Sequence, residues 1–394
     1  MTSCGNWDAP CLKTAPPFAC WCARSPWTVF WKSCRAMPPT PGFCTRASAT
    51  PARKSFAKPW SGASILKRHR QRHRQSRKIQ HPMSIIIRSV LIRSMDSPTN
   101  ITVANPSKTA EMAAGIRALH RRRAKQPLFD DPHALAMCGE FWRRVVSSDC
   151  LSALVVDTLL ASASGIMPLV YTRARFGEDL LEASIKNGLD QYVIVGAGYD
   201  TFSARRPDLM EKLTLYELDQ AATQQSKRER MKAAGIKEHG NVHYVASDLN
   251  QEKLHQALAR ANFDTTRPAL FSWFGVTYYL EMESIKETLI SISSHMAPDS
   301  AIMFDYLANP KLTPCGFIRM QEDSANFVAR RGEPWISSFV PDELPGFLGG
   351  LGYETVNHLK PEEVGPHYLS ETDDITYPAF MGLYHGVVGR AESG

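Results

Sequence analysis

Residues 191–202 read QYVIVGAGYDTF. The apolar run Tyr192–Val195 followed by Gly196-Ala197-Gly198 predicts a buried parallel strand that passes through a tight turn into a helix. The two glycines carry no Cβ, so the backbone of that turn can approach a ligand closely. A dinucleotide site expects a third glycine, and that position is Thr201, preceded by Asp200. The turn also lacks a Lys or Arg to meet phosphates.

Outward from this turn the chain alternates strand-like with helical segments. YVIV (192–195), LTLYEL (213–218), HYVASD (243–248), ALFSWF (269–274) and AIMFDYL (301–307) read as strands. Between them, TQQSKRERMKAAG, QEKLHQALARAN and ESIKETLISISSHM read as helices; in the last, Ile285, Leu289 and Ile292 recur at helical spacing. This rhythm predicts a doubly wound, mostly parallel α/β sheet. Upstream, KTAEMAAGIRALHRRR predicts an alanine-rich helix, PLFDDPHALAM a turn at Asp130-Asp131-Pro132 leading into a second helix, and 140–186 further helices ending at Asn187-Gly188. Together they form a helical N-terminal cover. After a helix around PDELPGFLGGLG, YETVNHL and AFMGLYHGVVG read as two strands with no helix between them, the pattern of an antiparallel hairpin at a sheet edge.

Acids stand at the predicted strand tips. Glu217 and Asp219 close LTLYELD, 21 and 23 residues after Gly196. A carboxylate about 20 residues beyond such a turn can accept the ribose hydroxyls. Asp248 closes the next strand beside the apolar Leu249, a pairing suited to an adenine amine and ring face. An adenosine ligand without phosphate fits these features, and S-adenosylmethionine is the common cofactor of that kind.

The net charge of +7 combines two unlike parts. Residues 1–94 hold 17 Lys and Arg against one acid, Asp8, while the body holds 29 basic and 38 acidic residues. The leader is rich in Cys, Trp and Pro, shows no helix or strand period, and includes KRHRQRHRQSRK (67–78). It reads as disordered or outside the functional protein, with translation from Met83 or Met95. A basic interaction tail and an organellar address are the other readings. Its cysteines lack zinc-ligand spacing, and the whole chain lacks metal-ligand motifs. The body's three cysteines, Cys138, Cys150 and Cys315, suit a reducing cytoplasm, and no stretch approaches the roughly 20 apolar residues of a membrane span.

VIVGAGYDTFSARRP, YELDQAATQQSKRERM, VASDLNQEKLHQAL and PALFSWFGVTYYLEMESIKETL, with KTAEMAAGIRALH, LFDDPHA and YTRARFGEDLL upstream, resemble the leucine carboxyl methyltransferase family and its bacterial and fungal small-molecule relatives. The resemblance covers about 107–390. It implies a class I methyltransferase fold with a seven-stranded sheet ending in an antiparallel pair and S-adenosylmethionine as cofactor; the body itself reads as one domain over 95–394 with a lid insertion at about 308–345. It assigns Gly196 and Gly198 to the cofactor turn, Asp219 to the ribose, Asp248 and Leu249 to adenine, and Arg173 of YTRARF to the cofactor carboxylate. From spacing alone, Arg173 and Arg175 also fit surface helix charges. Relatives often carry an acid before GV-x-x-YL, where this chain has Phe274.

The resemblance implies methyl transfer to a carboxylate of a small molecule, with a phenolic hydroxyl of a natural-product scaffold as the other acceptor. A carboxylate needs no general base, whereas a hydroxyl does. His367 and His385 read as ordinary histidines rather than bases. Tyr278, Tyr279 and Tyr306, with Asp305, are the acceptor-pocket candidates; core packing is the competing reading. Three alternatives stand beside this: methylation of a protein's C-terminal carboxylate, an NAD(P)-dependent oxidoreductase, and nucleic-acid binding through the basic leader. The absent third glycine weighs against the second, and the acidic body against the third.

Overall fold

A computed structural model describes residues 106–156, 165–369 and 376–389. The basic leader read at 1–94 lies outside the described residues. Among the described residues four helices run ahead of the sheet, α1 (Lys108–Arg123), α2 (Glu140–Ser147), α3 (Asp149–Leu154) and α4 (Ile166–Lys186). Then come β1 (Gln191–Val195), the one-turn helices α5 (Phe202–Arg205) and α6 (Pro207–Met210), β2 (Thr214–Asp219), α7 (Ala221–Ala233) and β3 (Val242–Ala246). α8 (Leu254–Ala259), β4 (Leu270–Trp273), α9 (Met282–His295) and β5 (Ala301–Leu307) continue the alternation. The chain closes with α10 (Ile318–Ala329), α11 (Leu344–Gly349), β6 (Tyr353–Leu359), α12 (Pro361–Tyr368) and β7 (Met381–Val388).

The seven strands form one sheet in the order 3-2-1-4-5-7-6. β1 to β5 run parallel, and β7 lies antiparallel between β5 and β6. β1, β4 and β5 are buried along their whole length, as strands covered on both faces must be. On one face, Leu258, Leu289, Ile292 and Leu348 of α8, α9 and α11 pack against the sheet. On the other lie Phe176 and Leu181 of α4 and Val364 of α12. A third core joins Ile116 and Leu119 of α1 and Trp142 of α2 to Met231 of α7 and Phe327 of α10, so the cover is packed onto the sheet layer.

The strand and helix readings hold, with two corrections. First, PHALAM forms successive turns, because Asp131 accepts the Arg117 Nε–H at 2.8 Å and the His133 amide at 3.1 Å and holds the segment in a loop; α2 starts at Glu140. Second, the last two strands are antiparallel neighbours but not a simple hairpin. PEEVGPHY forms α12 between them, begun by Pro361 and by Glu363 Oε2, which accepts the Lys360 amide at 2.8 Å, and β7 is internal to the sheet. The Gly and Pro within that segment hide its helical character in the sequence. Residues 308–345 contain α10, whose Phe327 and Val328 pack with the cover helices.

His385, on β7, is 7% exposed, and its Nδ1 has no hydrogen-bond partner among the described residues. Burial lowers its pKa from 6.5 to about 4. The unfolded chain therefore binds the extra proton, so this stabilising contribution is complete above about pH 6.5 and is lost as pH falls toward 4. His385→Gln is expected to recover up to about 3 kcal/mol of the acid loss. Urea midpoints at pH 7 and pH 4.5 should lie closer together in the variant than in the parent.

Candidate active site

Above the carboxyl ends of β1, β2 and β4, α1, α4 and residues 332–336 enclose a cavity of about 620 Å³. That volume lies within the range of small-molecule sites. Arg173, Gly196, Gly198, Asp219, Asp248, Leu249 and Tyr279 all line it. Five elements or their connecting loops thus bring seven of the sequence-predicted residues to one wall.

The turn after β1 is fastened to the tip of β2. The Gly196 and Ala197 amides both donate to the Leu218 carbonyl at 2.9 Å. Gly196 has φ +73°, and a Cβ there would lie 2.5 Å from Val276 Cγ2, so both backbone and space require glycine. The Gly198 amide donates to Asp219 Oδ2 at 2.6 Å and the Gln220 amide to Oδ1 at 2.7 Å. Burial raises the Asp219 pKa, and these amides oppose the shift. One pair of lone pairs on the carboxylate is thus spent on the turn, and the group remains in the cavity wall. Asp248 accepts the Asn250 amide and the Gln251 side chain, each at 3.0 Å, while Leu249 packs on the core below.

Glu217 departs from the row of strand-tip acids. It sits inside β2 with no exposed surface, paired with the equally buried Lys227 of α7 at 2.5 Å. Its role is in the core.

Arg173 projects from α4 into the cavity. Its Nη1 donates to Asp305 Oδ2 and to the Tyr278 hydroxyl oxygen, both at 2.9 Å. Asp305 is fully buried and also accepts the Gly275 amide at 2.6 Å. These contacts leave other guanidinium N–H groups of Arg173 on the cavity side, with 14% of the side chain open. Tyr278 and Asp305 therefore lie behind the cavity, as supports for Arg173, rather than in its wall. Tyr306 is also outside it: its side chain points to the opposite face of β5, packs in the core and bonds to His358 Nε2 at 2.8 Å. The sequence places these tyrosines near strand tips but does not show which way each side chain turns. Tyr279, half-buried, is the one of the three that faces the cavity.

Phe274 lines the deep end, where Gly177 of α4 makes room for it; a Cβ on Gly177 would lie 2.8 Å from Phe274 Cε2. Arg117 and Glu333 also line the cavity and escape the sequence reading. Arg117 looks like part of the basic run RALHRRR, yet it is buried. Its Nη2 donates to the Tyr199 carbonyl at 2.7 Å and its Nε to Asp131. Burial pushes the Asp131 carboxyl up, and Arg117 and Arg205 more than offset this, so its pKa falls below the ordinary value. The apolar Ile116 and Ala118 flanking Arg117 are the available signal. Nothing local marks Glu333, which reaches the cavity only through the tertiary path of the insertion.

Residues 110–293 match the leucine carboxyl methyltransferase family model. A Bacillus subtilis protein named "Putative S-adenosyl-L-methionine-dependent methyltransferase YktD" is 29% identical over 283 residues, covering 68% of this chain and 93% of that one. Rv3399 of Mycobacterium tuberculosis, named in the same terms, is 30% identical over 223 residues, or 55% of this chain and 62% of its own. Among solved structures, a DUF574 family protein from Streptomyces avermitilis is similar in fold, with a TM-score of 0.50 at 10% identity, over 72% of this chain and 97% of that one. The sheet order with an antiparallel β7 departs from the parallel 3-2-1-4-5-6 order of the dinucleotide fold, as the turn departs from its three-glycine fingerprint.

Gly275 has φ +77°, and a Cβ there would lie 2.6 Å from Arg173 Nη2. Gly275→Ala should therefore displace the Arg173 guanidinium and strain the turn, destabilising the protein by about 1–3 kcal/mol. Chemical denaturation of parent and variant measures this.

Proposed function

We propose that this chain, which belongs to the class I S-adenosylmethionine-dependent methyltransferases and takes S-adenosylmethionine as cofactor, methylates an oxygen of a small molecule, a carboxylate or a phenolic hydroxyl. The observation that carries this is the continuity of the cavity. Its polar end, at Asp219 and Asp248, runs into an end bounded by Phe274, Tyr279 and Ile336 under a roof of protein.

The residues present fit the cofactor. Asp219, anchored by the Gly198 amide, is our candidate for the ribose hydroxyls; Asp248 and Leu249 are candidates for the adenine amine and ring. Arg173 supplies a guanidinium for the cofactor carboxylate, because its planar fork matches two oxygens at once. Asp305 and Tyr278 hold that fork from behind, so little side-chain freedom is lost on binding. When bound, S-adenosylmethionine supplies a methyl group already activated for displacement. The protein's remaining work is to align an acceptor oxygen with that group and to keep water out. Tyr279 and Phe274 present flat apolar surface for an aromatic acceptor. The catalytic body in this reading is 95–394.

The test joins binding and product chemistry. Calorimetry on the full chain should show S-adenosylmethionine binding and no NADH binding. Asp219→Ala should weaken cofactor affinity at least tenfold, about 1.4 kcal/mol. Radiolabel from the cofactor's methyl group should appear in small molecules of a host extract. Unchanged affinity in Asp219→Ala removes the ribose assignment.

A further inference from the structure

The charges around the cavity are unequal. Three guanidinium groups line it, and each already has a carboxylate: Arg117 has Asp131, Arg173 has Asp305, and Arg205 has Glu178. No Lys or His lines it among the described residues. Five carboxylates line it, and four are committed. Glu178 pairs with Arg205, Asp200 accepts the Phe202 amide at 2.6 Å, and Asp219 and Asp248 accept the backbone amides described above. The fifth, Glu333, like Asp200, Asp219 and Asp248, makes no ion pair within 4 Å among the described residues, but unlike them it is held by side-chain hydroxyls rather than by backbone amides. It is half-buried and accepts the Thr109 hydroxyl.

Its position suits a role toward the acceptor. Glu333 lies in the segment that crosses from α1 to the loop after β4: Thr109 holds it at one side, and the Ile336 amide donates to the Tyr278 carbonyl at 2.7 Å at the other. Tyr279, the tyrosine facing the cavity, feels its charge. From α1, Ser107, Thr109 and the exposed Lys108 face Glu333; from the loop after β4, Tyr279 does.

We propose that Glu333 is the proton acceptor for a hydroxyl-bearing acceptor, so that the substrate is a phenol or alcohol rather than a free carboxylate. This rests on the methyltransferase reading above and narrows its substrate class. In the reading above Arg173, the guanidinium with N–H groups left on the cavity side, is taken by the cofactor carboxylate, so a carboxylate acceptor would find no cation of its own and would face Glu333. A neutral hydroxyl meets an acceptor for its proton. In the step, the acceptor O–H bond breaks and its proton passes to Glu333. The oxygen bonds to the methyl carbon as the carbon–sulfur bond breaks, with that electron pair remaining on sulfur. Glu333 then releases the proton to water. Burial raises the Glu333 pKa, with the Ser107 hydroxyl and Lys108 opposing, which moves the group toward the range useful for a base.

Glu333→Gln tests this, because its amide oxygen still accepts the Thr109 hydroxyl while the proton acceptor is gone. The full chain and the variant are incubated with methyl-labelled S-adenosylmethionine and a host small-molecule extract, and the products are treated with base. Base-stable ethers are expected, with transfer reduced about a hundredfold in Glu333→Gln, cofactor affinity within twofold by calorimetry, and an unchanged melting temperature. Glu333→Asp should restore part of the rate and the acid limb of the pH–rate profile that Glu333→Gln loses. In the free protein, ¹³C NMR should show the Glu333 carboxyl titrating above the ordinary Glu value. Base-labile label in the parent, a parental rate in Glu333→Gln, or an equal loss of cofactor affinity would overturn the proposal. A chain that binds cofactor but labels no small molecule sinks the underlying reading of small-molecule methylation, and the Glu333 role with it.

Discussion

The cavity depends on how the cover is joined to the sheet, and the buried ion pair between Arg173 and Asp305 is the central joint. Asp305 lies inside a fully buried strand, where an unpaired carboxylate would be costly. It is satisfied from two directions, by the guanidinium of a cover helix and by the Gly275 amide after β4. One carboxylate thereby fixes α4, β5 and the loop after β4 relative to each other at the bottom of the cavity. Arg173 can then present donors upward without wandering. A second joint at the other end is smaller: Asp219 ties the β1 turn to the tip of β2 through Gly198.

Much of the sheet was legible because strand identity is a local property. YVIV and AIMFDYL are apolar runs of strand length bounded by turn residues, and each became a fully buried strand. The Gly-x-Gly turn, Asp219 and Asp248 pointed to the sheet edge that carries the cavity for the same reason: backbone geometry and strand ends are set by nearby residues. The tail was harder. Pro361, Gly365 and Pro366 obscure α12, and no local pattern says that β7 enters between β5 and β6.

The site was legible in part, and side-chain direction decides what was lost. Tyr278, Tyr279 and Tyr306 look alike in sequence, yet one faces the cavity, one props Arg173, and one enters the core on the other face of β5. Glu217 and Asp219 are two residues apart, and burial against Lys227 separates their roles. Arg117 shows the converse: a residue within a basic run becomes a buried partner once α1 packs on α2 and the turn after β1. These assignments depend on tertiary neighbours that spacing does not encode.

The contact between Gly177 and Phe274 carries a consequence for how such a pocket diversifies. The bare backbone of α4 and the ring after β4 divide one fixed volume between two positions far apart in the chain. A shorter residue at 274 would release room for a methyl or larger group at 177, and the recess would change shape while the backbone stayed in place. The shape of that recess is therefore open to change through a compensated two-site exchange, with the end at Asp219 and Asp248 left as it is.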